Sequence, residues 1–197
     1  MYIYRMAETG LRERSKARRR AAIIRAAYEL FAERGYDATT VADIAEAAEV
    51  SPRTVTLYFA TKQDIALSRF SESTQCLADA LADRGPNETA TQIMGRWLTE
   101  KHARPYEEGL QELSHRMFAA NPELRALRTA RMADAIREGT RAVAEDLGTT
   151  PDDIGPRIAA AAAAAVLTEI ADSPTGPEHD RAITVALRFL QAGLASL

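Results

Sequence analysis

The sequence predicts an all-α protein: an N-terminal domain of three helices, the last two forming a helix-turn-helix, followed by a larger helical region. Three observations support this. Apolar residues recur at steps of three and four along most of the chain, as one face of a helix requires. No segment alternates with a period of two for long, so no sheet is expected. Helix-opening caps of the type Thr-x-x-Asp, and closing Gly or Pro residues, punctuate the pattern.

Residues 1–10 are expected to be a flexible lead-in, with helical periodicity starting at Leu11. Ile23, Ile24, Ala27, Leu30 and Phe31 make the first apolar stripe, and Gly35 ends it as a C′ glycine. Thr40 with Asp43 caps a short second helix that turns Val41, Ile44, Ala45 and Ala48 inward. Ser51 caps a third, with Pro52 at its first position, where a missing N–H costs nothing. Thr61 with Asp64 opens a long fourth helix that stops near Gly85-Pro86. Further helices are expected over 87–104, 106–120, 122–147, 151–171 and 178–194, separated by Asn121-Pro122, by Gly148 to Pro151 and by Ser173 to Pro177. The domains expected are therefore 11–60 and 61–197.

Composition narrows the function. Residues 1–70 carry a net charge of +3 and the remainder −6. Arg12, Arg14, Lys16, Arg18, Arg19 and Arg20 supply most of the positive excess, relieved only by Glu13. Such a run neutralises phosphates equally well in principle as it solvates a helix start. The single cysteine, Cys76, allows no internal disulfide and no cysteine-based zinc site. No apolar run reaches the roughly 18 residues of a membrane span, and no signal peptide is evident, so a soluble cytoplasmic protein is expected. Neither a metal nor a cofactor is expected. The histidines, His102, His115 and His179, lack a nucleophile or dyad partner. Glu112 and His115 make one i, i+3 pair where a di-iron bundle needs two such pairs and two more glutamates. The chain is not expected to be an enzyme.

Between Val41 and Tyr58 two short helices are joined through Glu49, Val50 and the cap Ser51. A helix-turn-helix has this spacing, and its second helix enters a major groove about 12 Å wide. The outer residues of that helix, Arg53, Thr54, Thr56 and Tyr58, all donate hydrogen bonds and none is acidic. Over residues 18–65 the chain resembles the TetR family of bacterial transcriptional regulators. The resemblance rests on Ile23-Ile24, Ala27, Leu30-Phe31, Gly35-Tyr36, Thr39-Thr40-Val41, Ile44-Ala45, Val50-Ser51, Thr54, Tyr58-Phe59 and Lys62. It implies a homodimer on double-stranded operator DNA, an all-helical ligand domain, and release by a small-molecule effector. It places Thr40, Tyr58 and Lys62 where family members hold backbone phosphates. Arg53, Thr54 and Thr56 then face base edges, with Arg53 able to pair bidentately with guanine. Glu49 departs from the family, which usually has glycine at this turn; a left-handed turn there would cost a glutamate about 1 kcal/mol.

Beyond Leu67 the resemblance fades. The alanines at 159–165 and the stripe Ile183, Leu187, Leu190 and Leu194 are expected to pair two chains through the last two helices, about 156–171 and 178–194. Met94, Trp97, His115, Met117 and Phe118 are the candidate lining of an effector pocket, with His102 and Tyr106 nearby. Two other readings stand beside a ligand-released repressor. One is redox regulation through Cys76, for which a buried structural thiol is the blander expectation. The other is a DNA-binding protein with no ligand.

Overall fold

The computed structural model describes residues 2–103, 109–172 and 177–194. The described residues form ten α-helices and no strand: α1 (Tyr2–Arg34), α2 (Val41–Ala47), α3 (Pro52–Tyr58), α4 (Lys62–Ala82), α5 (Ala90–Ala103), α6 (Leu110–Ala120), α7 (Pro122–Ala130), α8 (Ala133–Leu147), α9 (Ile154–Asp172) and α10 (Pro177–Leu194). The fold is all-α, as the sequence predicts. Two elements differ from expectation. First, α1 runs back to Tyr2 across the segment expected as a lead-in. Residues 2–9 hold no proline or glycine, and extending an existing helix is far cheaper than starting one. Second, the helix expected over 122–147 is broken at Arg131-Met132.

The chain divides into two compact units. The first comprises Met1–Ser68 and Arg116–Leu124; the second comprises Arg69–His115 and Arg125–Leu197. The boundary expected at residue 60 therefore moves to Ser68, because Ile65, Ala66 and Leu67 are fully buried in the first unit. Helices α4, α6 and α7 each give residues to both units.

In the first unit, Ile23, Ala27, Tyr28 and Phe31 of α1 are buried together with Ile44, Val55 and Ile65. The end of α1 shows why the segment 116–124 belongs here. Gly35 leaves the helix at φ 87°, a conformation in which a Cβ is strained. The carbonyls freed at this end need partners. The buried Thr39 hydroxyl donates to the Gly35 carbonyl at 2.8 Å. Asn121, also buried, donates its amide to the Phe31 carbonyl at 2.9 Å and accepts the Tyr36 N–H at 2.7 Å. The same amide bonds the Met117 carbonyl at 2.7 Å, closing the end of α6.

The second unit is built on Leu77, Leu81, Ile93, Leu98, Met132, Val143, Leu167 and Leu190. The break at Met132 lets this side chain enter the core. The Thr74 hydroxyl of α4 donates to the Arg131 carbonyl at 3.3 Å, satisfying a group the break releases. Gly139 of α8 faces Ala160 of α9, whose Cβ would lie 3.9 Å from any Cβ added to the glycine. Small residues on both helices thus permit a close approach within the chain. Arg84 grips the far end of α8, donating to Glu145 at 2.5 Å and to Asp146 at 2.6 Å. Asp146 also accepts the N–H of Ala90 at the start of α5, at 2.7 Å.

Candidate nucleic-acid interface

The helix-turn-helix is assembled by local chemistry. At the start of α2 the Asp43 N–H donates to Thr40 Oγ1 at 3.1 Å, and the Thr40 N–H returns to Asp43 Oδ2 at 2.8 Å. The Thr40 hydroxyl also donates to that carboxylate, at 2.6 Å. These bonds from Thr40 hold the Asp43 carboxyl below its usual range. The end of α2 is a Schellman motif: Val50 N–H reaches the Ala45 carbonyl at 2.9 Å and Glu49 N–H the Glu46 carbonyl at 3.1 Å. Glu49 occupies the left-handed position at φ 53°, the single positive φ of a non-glycine residue among the described residues. Ser51 then caps α3, its Oγ accepting the Thr54 N–H at 3.1 Å.

Val55 anchors α3 in the core, which leaves the opposite face in solvent. That face carries Arg53, Thr56 and Leu57; Thr54 and Tyr58 are half-buried at its margins. Both threonine hydroxyls turn back onto the helix. Thr54 Oγ1 lies 2.8 Å from Ser51 Oγ, and the Thr56 hydroxyl donates to the Arg53 carbonyl at 3.0 Å. Arg53 is the long cationic side chain of the outer face. On α1, Arg14, Lys16, Arg18 and Arg19 are exposed. Arg20 stacks its guanidinium 5.1 Å from the Phe59 ring centroid, at the other end of α3.

Lys62, expected to hold a phosphate, has a structural task the sequence did not reveal. Its Nζ donates to the carbonyls of Tyr36 at 2.6 Å and Thr39 at 2.9 Å. It also sits 4.2 Å from the Tyr36 ring centroid. Two of the three ammonium donors thus brace the loop between α1 and α2. Thr40 is similarly committed through its hydroxyl. Leu57, which the sequence marks only as a departure from the tyrosine many family members carry there and not as a site residue, is 82% exposed and the most solvent-accessible large apolar residue described. Its step of four from Arg53, with Val55 facing inward, was the available signal.

The second unit contains a narrow, open apolar cleft among α4, α5, α8 and α9, with a cavity volume of about 30 Å³. Leu77, Leu81, Met94, Met132, Ile136 and Leu167 line it, with small residues of α8 and α9, and every lining residue is apolar. Of the expected pocket residues, Met94 is on this wall. Trp97 packs against the core beside it. His115 is half-buried and is not part of the lining. Met117 and Phe118 are buried in the first unit, not the second. Tyr106 and the side chain of His102 lie outside the described residues.

Two further expectations are corrected. Cys76 is exposed rather than buried, because Thr74, Leu77, Ala78 and Leu81 form the inward face of α4. On α10, Ile183 and Leu190 are buried within the chain and Leu187 packs on the core; Leu194's side chain is outside the described residues. The exposed apolar residues are instead Val185 and Phe189 of α10 and Ile154 and Ile158 of α9. The alanine run is divided likewise, with Ala160 and Ala164 buried and Ala161 and Ala165 exposed. Among the described residues no helix is long and apolar enough to cross a membrane, and no group of side chains is placed to hold a metal ion.

The comparisons with known proteins agree with this geometry. The family model described as bacterial regulatory proteins, tetR family, matches residues 23–68, which span the end of α1 to the first part of α4. The HTH-type transcriptional regulator TcmR of Streptomyces glaucescens is 45% identical over 85 residues, which cover 43% of this chain and 38% of TcmR. The chain thus matches little more than a third of that relative's length. GusR of Salmonella enterica superposes with a TM-score of 0.62 at 18% identity, over 90% of this chain and 95% of GusR. FadR of Thermus thermophilus, a TetR-family transcriptional repressor solved with lauroyl-CoA, gives 0.52 at 24% identity, over 88% and 94%. The structural likenesses establish the fold across both units, and the sequence matches identify the helix-turn-helix. Over its helix-turn-helix, residues 23–68, the chain is similar to the TetR family of bacterial regulatory proteins.

Proposed function

We propose that this protein regulates transcription by binding a palindromic operator as a homodimer and is released from it by a small apolar or amphipathic molecule. The carrying observation is α3, capped by Ser51, anchored by Val55 and turning Arg53 to solvent, in a unit whose α1 exposes Arg14, Lys16, Arg18 and Arg19. A helix held so firmly at its root presents a fixed side-chain pattern, as major-groove recognition requires. Arg53 reads a guanine, and the half-buried Tyr58 and the helix starts near Thr40 and Thr54 meet the phosphates. The expected roles of Thr56 and Lys62 are secondary, since the Thr56 hydroxyl and two of the three Lys62 ammonium donors are already engaged.

A second copy of the chain covers the exposed apolar residues of α9 and α10. Ile154, Ile158, Ala161 and Ala165 follow one another at steps of four, three and four, and Val185 and Phe189 at four. A surface stripe of this kind is unusual on a monomer, and two-fold pairing of the same helices buries it on both partners. The cleft favours an effector with a hydrophobic body, because its lining offers no polar side chain to orient anything else. Helix α4 supplies Leu77 and Leu81 to that cleft and Ile65 to the core of the DNA-binding unit. It is thus the element through which effector binding shifts the population of DNA-competent dimers.

The test is fluorescence anisotropy of the purified protein on DNA from around its own gene, across a salt series. Tight binding to one short palindrome with two chains per site and a steep salt slope is expected. Weak binding that ignores sequence would overturn the proposal.

A further inference from the structure

We infer that Leu57 is a specificity-determining residue that reads the C5-methyl group of a thymine next to the guanine read by Arg53. The inference rests on the DNA-binding function proposed above. An exposed leucine on an ordinary surface calls for no explanation. Leu57 is different because of its address. It is 82% exposed on the outer face of α3, one turn beyond Arg53, while Val55 between them is buried.

The rest of that face narrows what Leu57 can meet. The hydroxyls of Thr54 and Thr56 are bonded to Ser51 and to the Arg53 carbonyl, so the outward chemistry of α3 is a guanidinium, a threonine methyl and an isobutyl group. In a major groove the apolar group available to an isobutyl side chain is the thymine methyl; the other base edges present donors and acceptors, which leucine cannot satisfy. A polar edge opposite Leu57 would lose water and gain no partner. Four residues advance about 6 Å along a helix, against 3.4 Å per base pair. Leu57 therefore falls within about two base pairs of the guanine under Arg53. The pair specifies a guanine with a thymine close by in each half-site.

The experiment removes the methyl from the DNA and the isobutyl group from the protein separately. Duplexes are first selected by the full-length protein from a random library. Each conserved thymine is then replaced by deoxyuridine, which lacks only the methyl, and affinity is measured by anisotropy at fixed salt. One thymine per half-site is expected to cost the wild type about 3- to 5-fold per site on replacement, the value of one buried methyl group. Leu57→Ala is expected to bind the thymine and deoxyuridine duplexes alike at that position, with the wild-type salt slope. Alanine keeps the helix propensity of leucine, and circular dichroism establishes that the variant is folded. The inference is overturned if Leu57→Ala discriminates thymine from deoxyuridine as well as wild type does. It is equally overturned if no thymine is sensitive, or if the variant changes oligomeric state with its DNA preference intact. A wild-type protein that selects no sequence at all would instead remove the DNA-binding function beneath it, and that outcome is visible before any Leu57 variant is made.

Discussion

Replacing Glu49 by glycine should make the protein more stable and a tighter DNA binder, for two separable reasons. Glu49 is the C′ residue of the Schellman motif that ends α2, held at φ 53° by the bonds from its own N–H and from that of Val50. A side chain in this conformation brings Cβ against the following carbonyl at a cost of about 1–2 kcal/mol. Glycine removes that strain, but its unfolded chain is more mobile, which returns about 0.5–1 kcal/mol. The expected net gain is about 0.5–1 kcal/mol. For a chain of this length that raises Tm by about 1–4 °C if both units unfold together, and by about twice as much if the DNA-binding unit melts alone. Glu49→Ala is the control. It deletes the carboxylate and keeps Cβ, so its Tm should stay at or below that of the wild type. The exposed carboxylate also opposes phosphate at the turn. Both variants should therefore bind operator more tightly, by a similar factor that shrinks as salt is raised. Differential scanning fluorimetry and anisotropy measure the two effects on the same samples. Equal Tm changes for alanine and glycine would refute the strain argument, and unchanged affinity in both would refute the electrostatic one.

Other substitutions test the remaining assignments. Arg53→Ala should relax base preference at one position of the site at a cost of about 1–3 kcal/mol, read by anisotropy on singly substituted duplexes. Lys62→Met keeps the aliphatic stem but loses both carbonyl bonds, so thermal melting should show a loss of about 2–3 kcal/mol. A salt slope reduced by about one would assign Lys62 a phosphate as well. Asn121→Ala leaves the Tyr36 N–H and the Phe31 carbonyl without their partner, costing about 2–4 kcal/mol and speeding hydrogen exchange at the end of α1. Phe189→Glu should yield folded monomers in sedimentation, whereas Leu190→Glu, one residue on but buried, should fail to fold.

The features legible in the sequence are those decided by neighbours in the chain. Thr40 with Asp43, Ser51, and Thr61 with Asp64 announce helix starts because each cap is completed within three residues. Gly35 and Gly148 mark ends because both sit at positive φ. Features decided at a distance were hidden. Nothing near Arg131 breaks a helix; a threonine 57 residues earlier accommodates the break. Asn121 reads as a turn residue before Pro122, yet its amide closes a helix 90 residues earlier in the chain. Lys62 reads as a cation for phosphate because the sequence cannot show that two carbonyls lie under it. The apolar residues of α10 form two overlapping stripes, and only packing decides that Ile183 and Leu190 turn inward while Val185 and Phe189 remain outside.

Helix α9 shows how one local composition can serve two requirements. A helix packed on one side carries one apolar stripe, and a helix apolar all round is enclosed on more than one side. In α9 the inner alanines at 159, 160, 163 and 164 form a wall of the cleft and allow α8 to approach through Gly139. The outer residues Ile154, Ile158, Ala161 and Ala165 would be equally apolar without purpose if this face remained in water. Alanine satisfies both sides at once, since it keeps the cleft open where a leucine would fill it and lets a second backbone come close outside. A leucine placed at Ala163 should therefore obstruct the effector without disturbing the dimer, and one placed at Ala161 should disturb the dimer without closing the cleft. Effector affinity and sedimentation, measured on both variants, separate the two faces; a shared defect in either variant would mean that the faces are not independent.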